Sequence, residues 1–331
     1  MKIIIPMAGI GTRLRPHTFT KPKPLLHVAG KAILEHIIDD LKKLDFSEMI
    51  FVTGPMKEHV EDFVKSNYSF KASFIEQKKI DGVAGSIKLV EPLVNKEDVL
   101  IVFSDTIFEA DLGLIKKAQK DSGTDGVIWV KEVKDPQRFG VVVVVDNGII
   151  TKMVEKPDQP ISKLANIGVY YVKNSSMMFE GIDHIYQKKI TKNGEYFLTD
   201  AFVYMIEAGA RLRTATAKGW YDCGTFETLL ETNRILLQKN HVQKSKAKNS
   251  LIIAPVFIDE GVIIENSIVG PFVSVAKGCE IKGSIVDNSI LGPSATLNYV
   301  AISCSTIGEN AFVHGVLKKL NIGDSSRVSY N

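Results

Sequence analysis

Residues 6–31 read PMAGIGTRLRPHTFTKPKPLLHVAGK and follow a short apolar run, Lys2 to Pro6. The run opens into Gly9-Ile10-Gly11-Thr12-Arg13. A strand that ends in such a turn presents backbone N–H groups with no side chain in the way, so a polyphosphate can approach the main chain closely. Arg13 and Lys23 add fixed positive charge beside it. Two common phosphate-binding patterns are absent: the dinucleotide fingerprint needs a third glycine where Leu14 stands, and the Walker pattern needs Gly-Lys-Ser/Thr.

Beyond this stretch the apolar residues set the architecture. Ile33, Leu34, Ile37, Ile38, Leu41 and Leu44 form a stripe at helical spacing, and Lys57 to Ser66 reads as a second helix. Met49 to Thr53, Ala72 to Glu76 and Val99 to Phe103 read as strands between them. This alternation predicts an α/β fold with a mostly parallel, Rossmann-like sheet flanked by helices. Ligands in such sheets lie at the carboxyl ends of strands, where the glycine loop and Asp105 fall. From Gly126 the texture shifts to short apolar runs, and Asp146-Asn147-Gly148 between two of them predicts a hairpin. A helix is expected over Phe197 to Ala208 and another from Thr225 to about Gln238.

Residues 239–250 hold four lysines and little that is apolar, so they read as a linker between a 1–238 domain and a 251–331 domain. In the second domain aliphatic residues recur every six: Ile252, Ile258, Ile264; Val269, Val275, Ile281; Ile285, Leu291, Leu297. A six-residue repeat predicts a β-helix in which each hexad forms one side of a triangular coil, with three to four coils over roughly sixty residues.

Composition bounds the function. With 45% hydrophobic and 24% charged residues and a net charge of +3, the chain is expected to be an ordinary globular protein with no nucleic-acid or membrane partner. No apolar run is long enough to cross a bilayer and Met1 to Pro6 is too short for a signal peptide. Cys223, Cys279 and Cys304 are widely spaced, without metal-ligand spacing, and are read as packing residues in a reducing, cytoplasmic compartment.

The motif Gly9-x-Gly11-Thr12-Arg13-Leu14-Arg15-Pro16, followed by Pro22-Lys23-Pro24-Leu25-Leu26 and Gly30-Lys31, resembles the signature of the sugar-phosphate nucleotidyltransferases, or NDP-sugar pyrophosphorylases. The resemblance covers residues 1 to about 238 and extends to the thymidylyl- and uridylyltransferases that act on glucose 1-phosphate, some of which carry a hexapeptide-repeat domain. It implies transfer of a nucleotidyl group from an NTP to a sugar 1-phosphate with Mg²⁺, a left hand for the β-helix, and assembly into a homo-oligomer.

Site residues follow from the same resemblance. Ala8, Gly9, Gly11 and Thr12 would cradle the nucleotide, with Arg13 on the leaving pyrophosphate and Lys23 on the α-phosphate. Asp105 in Ser104-Asp105-Thr106 and Asp222 in Trp220-x-Asp222-x-Gly224-Thr225 match the family's metal-binding aspartates. Mg²⁺ bound to a nucleotide needs only one or two protein carboxylates, although a strand-end aspartate read alone is more often a cap or turn residue. Glu155-Lys156-Pro157 matches a motif whose carboxylate binds sugar hydroxyls and whose lysine meets the sugar phosphate, with Gly140 and Asn166 completing that site. Phe139 departs from the tyrosine of many relatives.

Gln77 and Gly82 fit the edge of a pyrimidine, since a glutamine amide both donates and accepts. A plain surface role for Gln77 remains the alternative. The segment Gly194 to Asp200 resembles a family segment near the sugar but receives no chemistry. Three other functions stay open: a mannose-1-phosphate guanylyltransferase, a bifunctional enzyme whose β-helix transfers acyl groups with His314 its one histidine, and a non-catalytic sugar-nucleotide sensor.

Overall fold

The computed structural model describes residues 1–315. The chain divides into two compact units, Met1–Leu26 with Lys31–Leu229, and His27–Gly30 with the residues from Leu230 onward. In the first, the main strands and helices in chain order are β1 (Lys2–Met7), α1 (Ile33–Leu41), β2 (Glu48–Thr53), α2 (Lys57–Asn67), β3 (Ala72–Glu76), α3 (Val83–Lys88), β4 (Val99–Val102) and β5 (Thr106–Glu109). They continue with α4 (Leu114–Lys120), β6 (Gly126–Glu132), β7 (Gly140–Val145), β8 (Ile149–Glu155), β9 (Leu164–Val172), α5 (Ser176–Gln187), α6 (Leu198–Glu207), β10 (Leu212–Thr216) and β11 (Gly219–Asp222), followed by α7 (Phe226–Lys239), whose residues from Leu230 onward belong to the second unit.

Nine strands form one sheet in the order β3-β2-β1-β4-β9-β6-β10-β8-β7. The half from β3 to β4 is parallel. The other half is mixed: β9 runs antiparallel to β4 and β6, β10 parallel to β6, and β7 and β8 form the expected hairpin. Its turn holds Asn147 at a φ of 66° and Gly148 at 71°, the left-handed backbone that Asn-Gly supplies at low cost.

Period-two burial fixes the layers. Ile4 of β1 joins Ile50, Ile101 and Ile128 in a core cluster completed by Ala84 and Ile87 of α3, Phe179 and Ile182 of α5, and Phe202 of α6. Ile3 and Ile5, which point to the opposite face, are also fully buried, so the sheet is covered on both sides. Each such side chain contributes about 1.5–3 kcal/mol. Because β1, β3 and β4 are parallel, their carboxyl ends deliver the glycine loop, Gln77 and Asp105 to one edge. A separate antiparallel ribbon of β5 and β11 sets Asp222 opposite Thr106.

In the second unit three parallel sheets form the sides of a triangular coil, as in a left-handed β-helix. Ile258, Ile264, Val269, Val275, Ile281, Leu291 and Leu297 all point inward with at most 1% exposure. Three expectations need correction. Ile285 faces outward at 51% exposure, and its neighbour Val286 fills the core and pairs with Val269. Residues 239–250 are not a linker: Val242–Gln243 pairs with Val256–Ile258 and Ala247–Lys248 with Ile263–Glu265, the first coil of the helix. One small or aliphatic residue per side suffices there, and Lys244, Lys246 and Lys248 stay outside. Cys304 also departs from expectation, being exposed and not packed. The last part of the 251–331 domain, residues 316–331, lies outside the described residues.

Within this second unit Asn233 is fully buried. Its Oδ1 accepts from Ala29 N (2.9 Å) and Ser274 Oγ (2.6 Å), and its Nδ2 donates to the Phe272 carbonyl (3.1 Å). Removing the amide strands several buried polar groups, so Asn233→Ala is expected to lower unfolding free energy by about 2–4 kcal/mol. Urea denaturation of the full chain checks this; a loss below about 1 kcal/mol contradicts the role assigned to this amide.

Candidate active site

After β1 the backbone turns at Gly11, whose φ is 67°. Its carbonyl accepts from Leu14 N (3.0 Å) and Thr18 Oγ1 (2.8 Å), which closes a 3-10 turn over Thr12–Leu14. A Cβ at Gly11 would stand 3.2 Å from carbons of Lys23 and Thr18, whereas the corresponding position at Gly9 has nothing within 4 Å. The loop is therefore packed at its second glycine and open at its first.

The loop borders a cleft of about 290 Å³ lined by Ala8, Gly9, Gly11, Thr12, Arg13, Lys23, Gln77, Gly82, Ser104, Asp105, Glu195 and Gly224 among others. Every nucleotide-side residue expected from the sequence, from Ala8 through Gly82, is thus at one cavity, as are Arg13, Lys23 and Asp105. Lys23 Nζ lies 3.2 Å from Asp105 Oδ2, with the lysine mostly buried and the aspartate half exposed.

Gln77 is not a surface residue. It is 3% exposed, its Nε2 donates to Asp81 Oδ1 and the Gly82 carbonyl (both 3.2 Å), and its Oε1 accepts from Ser86 Oγ (2.6 Å). Gly82 has a φ of 111°, and a Cβ there would collide with the Tyr196 backbone, 2.7 Å from its nitrogen.

Asp222 adjoins the cleft through its neighbours. Gly224 N donates to Asp222 Oδ1 (2.9 Å), and Cys223 N donates to the Asp105 carbonyl (3.1 Å). Asp222 ends β11 opposite Thr106, so Asp105, the residue before β5, lies beside the end of the ribbon. No group of three or more His, Cys, Asp or Glu suited to a metal occurs among the described residues. A pair of hard oxygen donors fits Mg²⁺, which leaves most of its octahedron to phosphate and water.

The residues expected on the sugar side form a second cluster. Asn166 Nδ2 donates to the Gly140 carbonyl (2.9 Å), and Asn166 Oδ1 accepts from the buried Tyr170 hydroxyl. A Cβ on Gly140 would meet the Asn166 amide and stand 2.7 Å from Glu155 Oε2. Burial pushes the Glu155 carboxyl up, opposed by the Thr199 hydroxyl that donates to Oε2 (2.7 Å). Lys156 has a φ of 43°, and its ammonium lies 4.7 Å from the Phe197 ring centre. Phe139 packs edge-on against Trp220 with ring centres 4.8 Å apart, contact that a phenol hydroxyl does not need to make.

The segment Gly194 to Asp200, to which sequence reasoning assigned no chemistry, joins the two clusters. Glu195 lines the cleft, Tyr196 abuts Gly82, Phe197 faces Lys156, and Thr199 holds Glu155. Lys192 Nζ adds bonds to the carbonyls of Lys156 (2.6 Å) and Glu155 (3.3 Å). The one signal available was the ordered run Gly194 to Asp200.

Residues 2–239 match the family model described as nucleotidyl transferase. The chain belongs to that family. It is 36% identical to the bifunctional protein GlmU of Methanocaldococcus jannaschii over 80% of this chain, spanning 61% of that relative. It is 28% identical to a glucose-1-phosphate thymidylyltransferase of Streptomyces griseus over 99% of both chains. A UDP-glucose pyrophosphorylase solved with UDP-glucose superposes with a TM-score of 0.62 at 25% identity, covering 72% of this chain and 99% of that one. The nucleotidyl transferase match ends where the β-helix begins.

In this nucleotidyl transferase Asp200 is pushed up to about 6 from its ordinary 3.8, chiefly by burial and then by Glu155. Between those values the folded chain holds a proton that the unfolded chain has released, so stability falls as pH rises through the window. Relative to Asp200→Asn, the wild-type melting temperature is expected to drop between about pH 4 and pH 6 and to level off above. Parallel melting curves across that range contradict the assignment.

Proposed function

We propose that the chain joins a nucleoside triphosphate to a sugar 1-phosphate, giving an NDP-sugar and pyrophosphate. The observation that carries the reading is the single cleft that gathers the glycine loop, Arg13, Lys23, Gln77 and Asp105 in a member of the nucleotidyl transferase family. The substrates favoured are dTTP or UTP with glucose 1-phosphate, in keeping with the thymidylyltransferase relative and the UDP-glucose-bound neighbour. A homo-oligomer in the cytoplasm belongs to the same reading. Among the described residues no helix is long and apolar enough to cross a membrane.

A sugar-phosphate oxygen attacks the α-phosphorus in line; the new P–O bond forms as the bond to the β-phosphate oxygen breaks, and pyrophosphate leaves. The nucleophile is already an anion, so no general base is needed and positioning with charge neutralisation accounts for the rate. Open backbone at Gly9 admits the triphosphate. Arg13 neutralises the departing pyrophosphate, and Lys23 the α-phosphate. Asp105 and Asp222 would hold Mg²⁺, which when bound supplies further neutralisation of phosphate charge. Glu155 and Asn166 receive the sugar hydroxyls, Gly140 leaves room for the ring, and Lys156 holds the sugar phosphate.

Pyrophosphate release across five NTPs and the 1-phosphates of glucose, galactose, mannose and N-acetylglucosamine tests the reading. Turnover is expected with dTTP or UTP; turnover with GTP and mannose 1-phosphate alone gives the guanylyltransferase instead, and none with any pair overturns the proposal. Adding acetyl-CoA to the same mixtures tests for acyl transfer. Asp222→Ala is expected to lower kcat in Mg²⁺ by a factor of at least about 10² with an unchanged melting temperature, a loss in the range of one lost electrostatic contact to a transition state. Near-normal kcat removes Asp222 from the metal site.

A further inference from the structure

The Gln77 amide is oriented by groups that take no part in the proposed chemistry. Its two flanking partners on one side, Asp81 Oδ1 and the Gly82 carbonyl, are both acceptors at 3.2 Å, so only the NH₂ can face them. Both amide hydrogens are then used. The oxygen turns toward Ser86, whose hydroxyl takes one lone pair at 2.6 Å, and one lone pair remains. Inverting the amide would set oxygen against oxygen at two places and break two hydrogen bonds.

Asp81 is itself fixed. Its Oδ2 accepts from the Tyr186 hydroxyl at 3.0 Å, and Lys79 Nζ lies 3.4 Å away. Tyr186 stacks on Tyr196 with ring centres 4.0 Å apart, and burial together with the Asp81 carboxylate pushes its phenol up, so it donates. Gly85 is needed for the close approach: a Cβ there would stand 2.8 Å from the Tyr186 oxygen and 3.0 Å from Gln77 Nε2. The relay Tyr186–Asp81–Gln77 is thus a packed unit bordering the cleft.

We infer that Asp81 and Tyr186 are positioning residues that set base specificity by locking Gln77 with its carbonyl oxygen toward the ligand. The inference rests on the proposed placement of the base against Gln77. A lone acceptor welcomes a base whose ring nitrogen carries hydrogen, as in uracil or thymine. Cytosine presents a bare ring nitrogen there, and two acceptors would oppose each other. UTP and CTP differ little in shape, so the discrimination is by hydrogen-bond polarity and not by size.

The test uses the full chain and its preferred sugar 1-phosphate, comparing kcat/KM for UTP and CTP. Asparagine at position 81 donates as well as accepts, so Asp81→Asn removes one of the two acceptors that fix the amide and leaves only the Gly82 carbonyl to hold it. The UTP:CTP preference is expected to fall at least tenfold. Tyr186→Phe keeps the ring stack while removing one hydrogen bond, and is expected to move the preference in the same direction by less. A structural role alone would lower both nucleotides in parallel. Parallel losses, or a preference within twofold of wild type in both variants, overturn the inference. If the wild-type chain turns over no pyrimidine triphosphate, the functional reading beneath it fails first.

Discussion

Tyr196 N donates to the Asp81 carbonyl (2.7 Å) while the Tyr196 carbonyl accepts from Ala84 N (3.1 Å), and Gly82 lies between these two bonds. At Gly82 the main chain adopts a φ of 111° and passes so near Tyr196 that no side chain fits. This backbone clamp fixes the start of α3, the loop after β3, and the segment leading into α6 in one stroke. The cleft and the Glu155 cluster therefore share a single length of chain, Glu195 to Asp200, in which Glu195 and Tyr196 serve the first and Phe197 and Thr199 the second. A site assembled from separate loops would need each loop fixed independently; here one clamp serves both.

The second cluster depends on strain held in place. Lys156 occupies left-handed backbone at a φ of 43°, which costs a side-chain-bearing residue about 1 kcal/mol. Lys192 offsets this by bonding the Lys156 carbonyl at 2.6 Å, and the Phe197 ring receives the Lys156 ammonium. Phe197 lies in the segment that the Gly82 clamp orients, and Lys192 just before it is tied to Glu195 by two main-chain hydrogen bonds of 3.1 Å. The result is that the Lys156 head group is aimed by groups more than thirty residues along the chain, while Glu155 one position earlier is held by Thr199.

How far the sequence foretold this depends on range. The glycine loop, Lys23 and the strand ends were legible because local pattern decides them: apolar runs set the strands, and parallel pairing brings their ends together. Gln77 was named from the sequence, but its burial and orientation were not legible, because they come from Asp81, Ser86 and, through Asp81, Tyr186, which lies 105 positions from Asp81. Thr199 and Lys192 were invisible for the same reason. A hydroxyl or an ammonium looks the same in sequence whether it faces water or a carboxylate.

The β-helix shows the opposite case, where a period was plain and its details were not. Six-residue spacing implies eighteen residues per coil, yet Ser267 N bonds to Ser250 Oγ and Ser284 N to Ser267 Oγ across 17 residues, and Val300 N to Ser284 Oγ across 16. Some sides are therefore one residue short. At those corners a serine hydroxyl accepts the N–H of the next coil, which keeps the backbone satisfied without a full hexad. The shortened side after Ile281 is what turns Ile285 outward and brings Val286 in. The core takes at least one aliphatic side chain per side, and often two, as with Val256 and Ile258 or Val273 and Val275; corner residues absorb the count. The same tolerance lets Val242 and Ala247 start the first coil from a segment whose lysines suggested open chain.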